Sequence, residues 1–384
     1  MSFPRLLLAL FVLSCTLPAP AASAADARFH FVALGDTAYN LDRDLPIYAT
    51  LIEAINRSAP AFSIHVGDTW GVLECSEENH LWVRGWFDRF DHPLIYTPGD
   101  NEWTDCRKPE LLAAYGRVME GKGTPADMAM LGAARQLDSA LAATSYVDTL
   151  ESLATIRRVF FSQPRSQGAV KLPLQLQADL GQKGGIRENA RWQQGGVVFT
   201  TVSVPGSQNG FPINDPRRAA EASARNAANV EWLKAAFAAA ESADAKAVVI
   251  ALHASLFIDT AGDAEFGRQL RGGVDGPYYW VALAIRDLAN DFGRPVLLIH
   301  GDFHQFQIDR PFMVPQGESR PPKYANITRL QVYGAPELRA VRVDVDTRTP
   351  WVFSFSPLYA DGPADTPADT PADTPADRPA AAVE

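Results

Sequence analysis

The chain is short of cysteine, of long apolar runs and of positive charge, and each shortage excludes something. Three cysteines occur in 384 residues, and none stands in a C-x-x-C spacing, which leaves a thiolate metal site without support. The longest N-terminal apolar run, Leu6 to Leu17, is shorter than the roughly 20 residues a membrane-spanning helix needs. Lys and Arg number 35 against 45 Asp and Glu, a formal net charge of -10, which gives no support for nucleic-acid binding.

What remains is a core-forming composition, 47% hydrophobic and 21% charged, long enough for one large domain or two ordinary ones. Arg5, the run that follows it and the small-x-small pattern of "APAASA" read as a removed signal peptide over residues 1–24. That predicts a periplasmic or secreted protein with no membrane span after removal. A retained anchor is the alternative, and "VLSC" around Cys15 loosely resembles a lipobox, which leaves a lipoprotein open. Cys75 and Cys106 are then the two remaining cysteines, and in an oxidising compartment they are expected to pair. Residues 361–384 repeat Pro-Ala-Asp-Thr with almost no bulky apolar side chain, the composition of a disordered tail.

Between these ends one pattern recurs. "RFHFVALGD", "AFSIHVGD" and "HPLIYTPGD" place Asp36, Asp68 and Asp100 at intervals of 32 residues, each after an apolar run and separated by segments of helical period. A second set follows: "KAVVIALH" ends at His253, and "RPVLLIHGDFH" ends at Asp302 and His304, with helical stretches before each. Strands joined by helices are parallel and bring their C-terminal ends to one edge, where ligands bind. The stretch at about 107–195 reads as an insertion overhanging that edge, with "GQKGGIRENARWQQGG" a loop. "ITRLQVYG", "LRAVRVDVD" and "WVFSFSPL" alternate like strands of one half-exposed antiparallel sheet.

Carboxylates and imidazoles converging on one edge are what a pair of divalent cations requires. The order of the blocks "GDTAY", "GDTW", "GDNE", "IALHASLF" and "GDFH" resembles the calcineurin-like metallophosphoesterase superfamily, which includes purple acid phosphatases, over residues 28–356. The resemblance implies a four-layer α/β/β/α sandwich of two mixed sheets and a two-metal centre that turns a metal-bound hydroxide on a small phosphate mono- or diester. Carried over by position, Asp36 and His304 hold the first ion, Asp68 bridges and His253 holds the second.

Four positions depart from the family pattern. Ala38 stands where the first block has His, Asp100 where the third has Asn, Asn101 where the third has its acid His, and Asp302 where the fifth has its first His. Asp100 and Asp302 remain able to ligate, so the expected ligand set is Asp36, Asp68, Asp100, His253, Asp302 and His304. Four aspartates in place of two bring the charge of a cation pair from about +2 to about 0, with less pull on a phosphate anion. More oxygen and less imidazole also move the preference from zinc toward manganese, magnesium or iron. Asp68 and Asn101 are the candidate catalytic residues. An amide donates a hydrogen bond but delivers no proton, so Asn101 is expected to orient substrate, with Glu102, Tyr39 or water as proton donor.

The remaining polar and aromatic residues divide by position. His65 and His300 lie inside apolar strands and read as packed, whereas His80 and His92 read as surface groups. Tyr39, Trp70, Trp103 and Phe303 either wall a cleft or cover the sheet end, and Asn189 and Asn209 are candidates to reach the site. A non-catalytic envelope protein, with the altered centre used for structure or ligand binding, is the rival to the enzyme. Hydrolysis of a non-phosphate ester is a third reading.

Overall fold

Alternation along β1, Arg28–Leu34, sets the layering: Phe31 and Ala33 face one side and Val32 and Leu34 the other, and all four are buried. The computed structural model describes residues 27–71, 75–106, 148–181, 184–210, 215–256, 277–314 and 322–360, together with 114, 117–118 and 121–129. The signal-peptide and tail expectations lie outside the described residues.

After β1 come α1 (Leu41–Ser58), β2 (Ser63–His65), α2 (Glu77–Phe87), β3 (Leu94–Tyr96) and α3 (Thr149–Phe160). Each helix starts at a side-chain cap, Asn40, Ser76 and Asp148 accepting from backbone N–H groups of the first turn. The chain continues through β4 (Gln175–Leu176), β5 (Ala190–Gln194), β6 (Val197–Thr201), α4 (Pro216–Ser242), β7 (Ala247–Ala251), α5 (Tyr279–Phe292), β8 (Val296–His300), β9 (Gln307–Asp309), β10 (Ile327–Gln331), β11 (Ala340–Asp346) and β12 (Phe353–Leu358).

Two mixed sheets result. The first runs β12-β11-β1-β2-β3 and the second β4-β5-β6-β7-β8-β10-β9. β1, β2 and β3 are mutually parallel, as are β6, β7, β8 and β10, and the pairs β1–β11, β11–β12, β4–β5, β5–β6 and β9–β10 are antiparallel.

Three apolar clusters fill the spaces between four layers. Tyr48, Leu51, Ile52 and Ile55 of α1 share a helical face and pack with α2 and α3 on one side of the first sheet. Phe31, Ala33, Val341 and Val343 meet Phe199, Val249, Leu297 and Ile299 between the sheets. Trp232, Leu233 and Phe237 of α4 pack with Val281 and Ile285 of α5 on the far side of the second sheet. This is the α/β/β/α order that the resemblance implied.

Two expectations are corrected. β10 does not join β11 and β12. It lies inside the second sheet, parallel to β8 and antiparallel to β9, and most of its residues are buried. Within the stretch read as a loop, Ala190–Gln194 is a strand. Gly195 and Gly196, at φ 55 and 80, form the two-residue turn that folds β5 back on β6. Of the stretch 107–195, α3 packs on the helix side of the first sheet, and β4 and β5 extend the second.

Candidate metal centre

The strand ends that the sequence aligned on one edge come from two sheets. Asp36, Asp68 and Asp100 follow β1, β2 and β3 of the first, whereas His253, Asp302 and His304 follow β7 and β8 of the second. Hydrogen bonds fasten the two edges together. His253 Nδ1 lies 2.8 Å from the Val66 carbonyl, and the Asp302 N–H donates to Asp36 Oδ1 at 3.0 Å. The first of these requires Nδ1 to carry the proton, which leaves Nε2 facing the carboxylates.

The turns that carry the site are bent sharply. Asp36, Asp68, Asp302 and His304 have φ of 52, 53, 78 and 57, the left-handed region, at a cost on the order of 1–3 kcal/mol each. Hydrogen bonds hold them there: Thr37 N–H donates to the Asp68 carbonyl at 3.0 Å, and Ala335 N–H to the Asp36 carbonyl at 2.8 Å. Gly301 is required because a Cβ there would stand 2.1 Å from Asp36 Oδ2.

The six expected ligands are brought together as two overlapping groups and one neighbour. Asp36, Asp68 and His253 offer ligand atoms within 4.8 Å of one another, and so do Asp100, His253 and Asp302. His253 Nε2 is 2.9 Å from Asp100 Oδ1, 3.5 Å from Asp68 Oδ1 and 3.9 Å from Asp302 Oδ1. His304 Nε2 lies 3.6 Å from Asp36 Oδ1, with Nδ1 held by the Ala335 carbonyl at 2.6 Å.

These groups suit divalent cations on their own evidence. Asp36 Oδ2, Asp100 Oδ1 and His253 Nε2 are buried without a hydrogen-bond partner. The short approach of His253 to Asp100 has an ion pair's distance but not a hydrogen bond's geometry. Among the described residues no lysine or arginine pairs with any of the four aspartates. Buried carboxylates without a counter-charge are costly, and the protein without cations answers with protons. Burial pushes Asp36 up to about 7 and Asp68 well above the ordinary carboxylate range, each opposed by His253. Burial raises Asp302 as well. Burial also pushes Asp100 up, but His253 and Ser207 outweigh it and the net shift is downward. His253 is raised well above its usual value because Asp68 and Asp100 overcome its burial.

Asn101 faces the carboxylate cluster rather than an open cleft. Its Nδ2 lies 2.8 Å from Asp68 Oδ2, 3.0 Å from the Trp70 carbonyl and 3.0 Å from the Tyr39 hydroxyl, and its backbone N–H donates to Asp68 Oδ1 at 3.1 Å. The Tyr39 hydroxyl donates to Asp68 Oδ2 at 2.5 Å. Glu102, a candidate proton donor, is fully buried. It accepts from the N–H groups of Asp68, Thr69 and Gly99 at 3.2, 2.6 and 2.8 Å, so it ties the second and third strand ends instead. The Cys75–Cys106 disulfide forms, with Cα atoms 5.6 Å apart, and fastens the segments after Asp68 and Asp100.

Other residues sort differently from their sequence reading. His65 and His300 are packed, as expected, and burial lowers each to about 3. His80 and His92 are not surface groups. His80 is fully buried against Trp70 and Phe160, and His92 lies 2.7 Å from Ser63 Oγ. The spacing of His80 with Val83 and Phe87 on the buried face of α2 was the missed signal. Trp70 and Trp103 belong to the helix-side core, whereas Phe303 is 41% exposed. Asn189 bonds Gln177, Asn229 and Ser203, and Asn209 bonds Asn226 and Pro277, so neither side-chain amide is bonded to the carboxylates. Ser207, which sequence reading passed over, lies 2.7 Å from Asp100 Oδ2. Among the described residues no helix is long and apolar enough to cross a membrane.

No protein-family model matches the chain, and no curated protein does. Among solved structures it is similar to GAP50, the anchor in the inner membrane complex of Plasmodium, with a TM-score of 0.39 and 9% identity over 86% of this chain and 89% of that one. It is similar also to a 5'-nucleotidase from Candida albicans SC5314, with a TM-score of 0.39 and 12% identity over 86% of this chain and 51% of that one. The chain thus spans about half the length of the second.

Proposed function

We propose that the protein is an exported, metal-dependent phosphoesterase acting on a small phosphate mono- or diester. One observation carries the reading: four carboxylates and two imidazoles converge from five strand ends, with Asp36 Oδ2 buried without a hydrogen-bond partner and Asp100 Oδ1 and His253 Nε2 buried against each other at 2.9 Å. Asp36 and His304 would hold one divalent cation, Asp100, His253 and Asp302 the other, and Asp68 both. Manganese, magnesium and iron suit this oxygen-rich set better than zinc does. Bound at such a centre, divalent cations polarise a phosphoryl oxygen and lower the pKa of water.

The chain's own groups prepare the site. Asn101 and Tyr39 fix the Asp68 carboxylate, Val66 fixes the tautomer of His253, and Ala335 that of His304. Four carboxylates nearly balance two divalent cations, so a singly charged diester is favoured over a doubly charged monoester. With an amide at position 101 engaged by Asp68, and buried Ala38 carrying no proton, esters with acidic leaving groups are the better substrates. The Cys75–Cys106 disulfide and the apolar run after Arg5 support export to the periplasm or medium.

Ala38 and Asn101 favour the rival, a non-catalytic envelope protein with a centre kept for structure or ligand binding. Metal analysis of protein purified without chelator, joined to a phosphoester panel, separates the two. Bound metal with hydrolysis supports the enzyme; bound metal without hydrolysis supports the rival.

A further inference from the structure

Residues 207–209 form a left-handed turn that no glycine relieves. Ser207, Gln208 and Asn209 have φ of 45, 54 and 58, a conformation that L-residues adopt singly and rarely in succession. It follows β6 at the C-terminal edge of the second sheet, beside the carboxylates, and buried groups hold it in place. The Asn209 N–H donates to the Tyr278 hydroxyl at 3.0 Å, and its side chain donates to Asn226 and to the Pro277 carbonyl. Arg225, 2% exposed, donates to the Asn209 carbonyl at 2.8 Å. Strain held this firmly marks a position where the chain is forced rather than free.

The forced conformation has two results at the site. The Gly206 backbone comes so close to Asp100 and Asp302 that a Cβ would stand 2.7 Å from Oδ1 of each. Ser207 Oγ is set 2.7 Å from Asp100 Oδ2 and 2.6 Å from Asp105 Oδ2. The single hydroxyl proton serves Asp100 Oδ2 or Asp105 Oδ2 at a time, and Asp100 Oδ1 is the oxygen left facing His253 Nε2. Asp105 in turn has its other oxygen 3.2 Å from Thr104 Oγ1.

We propose that Ser207 is a positioning residue for the cation place formed by Asp100, His253 and Asp302, with the strained turn serving to hold its hydroxyl against Asp100 Oδ2. This rests on the metal-centre reading above but not on the phosphoester chemistry. Partners that orient a metal-binding carboxylate typically contribute about 10- to 100-fold in metal affinity.

Two substitutions separate the hydroxyl from the backbone. Ser207→Ala removes the hydroxyl and keeps the strain, whereas Ser207→Gly removes the hydroxyl and relieves the strain. The measurement is calorimetric titration of chelator-stripped full-length protein with Mn2+, alongside thermal unfolding in chelator. Both variants are expected to bind one of two Mn2+ ions about 10- to 100-fold more weakly, with the other unchanged. Ser207→Gly should unfold at the wild-type temperature or above in chelator, a split that a merely structural serine would not give. Wild-type affinity at both ions in both variants would overturn the proposal, as would a wild-type protein that takes up no divalent cation. A wild-type protein that binds Mn2+ with these variant effects but hydrolyses no phosphoester would overturn the proposed activity and support the role of Ser207.

Discussion

Asn101 holds Asp68 from two directions, through its side-chain amide to Oδ2 at 2.8 Å and its backbone N–H to Oδ1 at 3.1 Å. Asn101 is thus a fixture of the central carboxylate. Replacing it by Asn101→His should speed esters with poor leaving groups more than those with good ones, because only the former need a proton in the transition state. The change also removes the amide's contacts with Asp68 and Trp70, and Asp100 next door raises an imidazole's pKa and weakens it as an acid. The pair Asp100→Asn and Asn101→His should therefore exceed the single change, reaching about tenfold or more for poor leaving groups. Equal effects on both ester types would show that position 101 does not face the leaving group.

Charge at the centre sets the second prediction. If four carboxylates offset two cations, bis(p-nitrophenyl) phosphate should be a better substrate than p-nitrophenyl phosphate by kcat/KM. Asp302→His exchanges a carboxylate for a neutral ring and should shift that ratio severalfold, on the order of tenfold, toward the doubly charged ester. A ratio unmoved by the substitution would mean that Asp302 contributes no charge to the bound state.

The disulfide closes a sequence separation of 31 residues. Chain-entropy reasoning gives about 3–4 kcal/mol for such a loop. Cys75→Ser with Cys106→Ser should lower the urea midpoint and raise the m-value, because the unfolded chain without the cross-link exposes more surface. An unchanged midpoint would show that packing around Trp103 and Glu102 holds these segments without the bond.

The pH prediction follows from groups that burial and neighbours displace. Asp36, pushed up to about 7 first by burial, destabilises the stripped protein as pH rises from its unfolded value through 7. His253 is raised, so its contribution is full below the unfolded value and is lost as pH climbs through the folded one. Both trends weaken the stripped protein as pH rises, and cations bind only the deprotonated groups. The gain in Tm on adding Mn2+ should therefore grow between about pH 5.5 and about pH 8. Burial lowers His65 and His300 to about 3 and His80 and His92 to about 4, so stability is lost on acidification below their unfolded values. That loss occurs with and without cation and cancels in the difference. A gain that is flat or falling with pH would count against cation binding at these residues.

The parts of this architecture that were legible in the sequence are those that local chemistry dictates. The apolar run before each Gly-Asp, and the repeat at Asp36, Asp68 and Asp100, mark parallel strand ends because a buried strand must turn sharply as it leaves the sheet. The division of those ends between two sheets was not legible, since sheet partners are fixed by packing at long sequence separation. β10 was misplaced for that reason: its alternation resembles that of β11, yet it is buried beside β8. The paired glycines Gly195 and Gly196 carry a hairpin signal that the polar residues around them mask. Glu102 and Ser207 were illegible as fixtures of the site, because their roles depend on partners 33 and 107 residues away.

The central claim is that Asp68 belongs to both cations of a hydrolytic centre, and one paired measurement tests it most directly. Wild-type, Asp68→Ala and the isosteric Asp68→Asn protein, purified without chelator, are assayed in the same preparations for bound metal and for hydrolysis of bis(p-nitrophenyl) phosphate. Up to two ions and hydrolysis are expected for the wild type, and loss of most of both ions together with hydrolysis is expected for the variants. Full retention of metal in folded Asp68→Ala and Asp68→Asn protein would contradict the account.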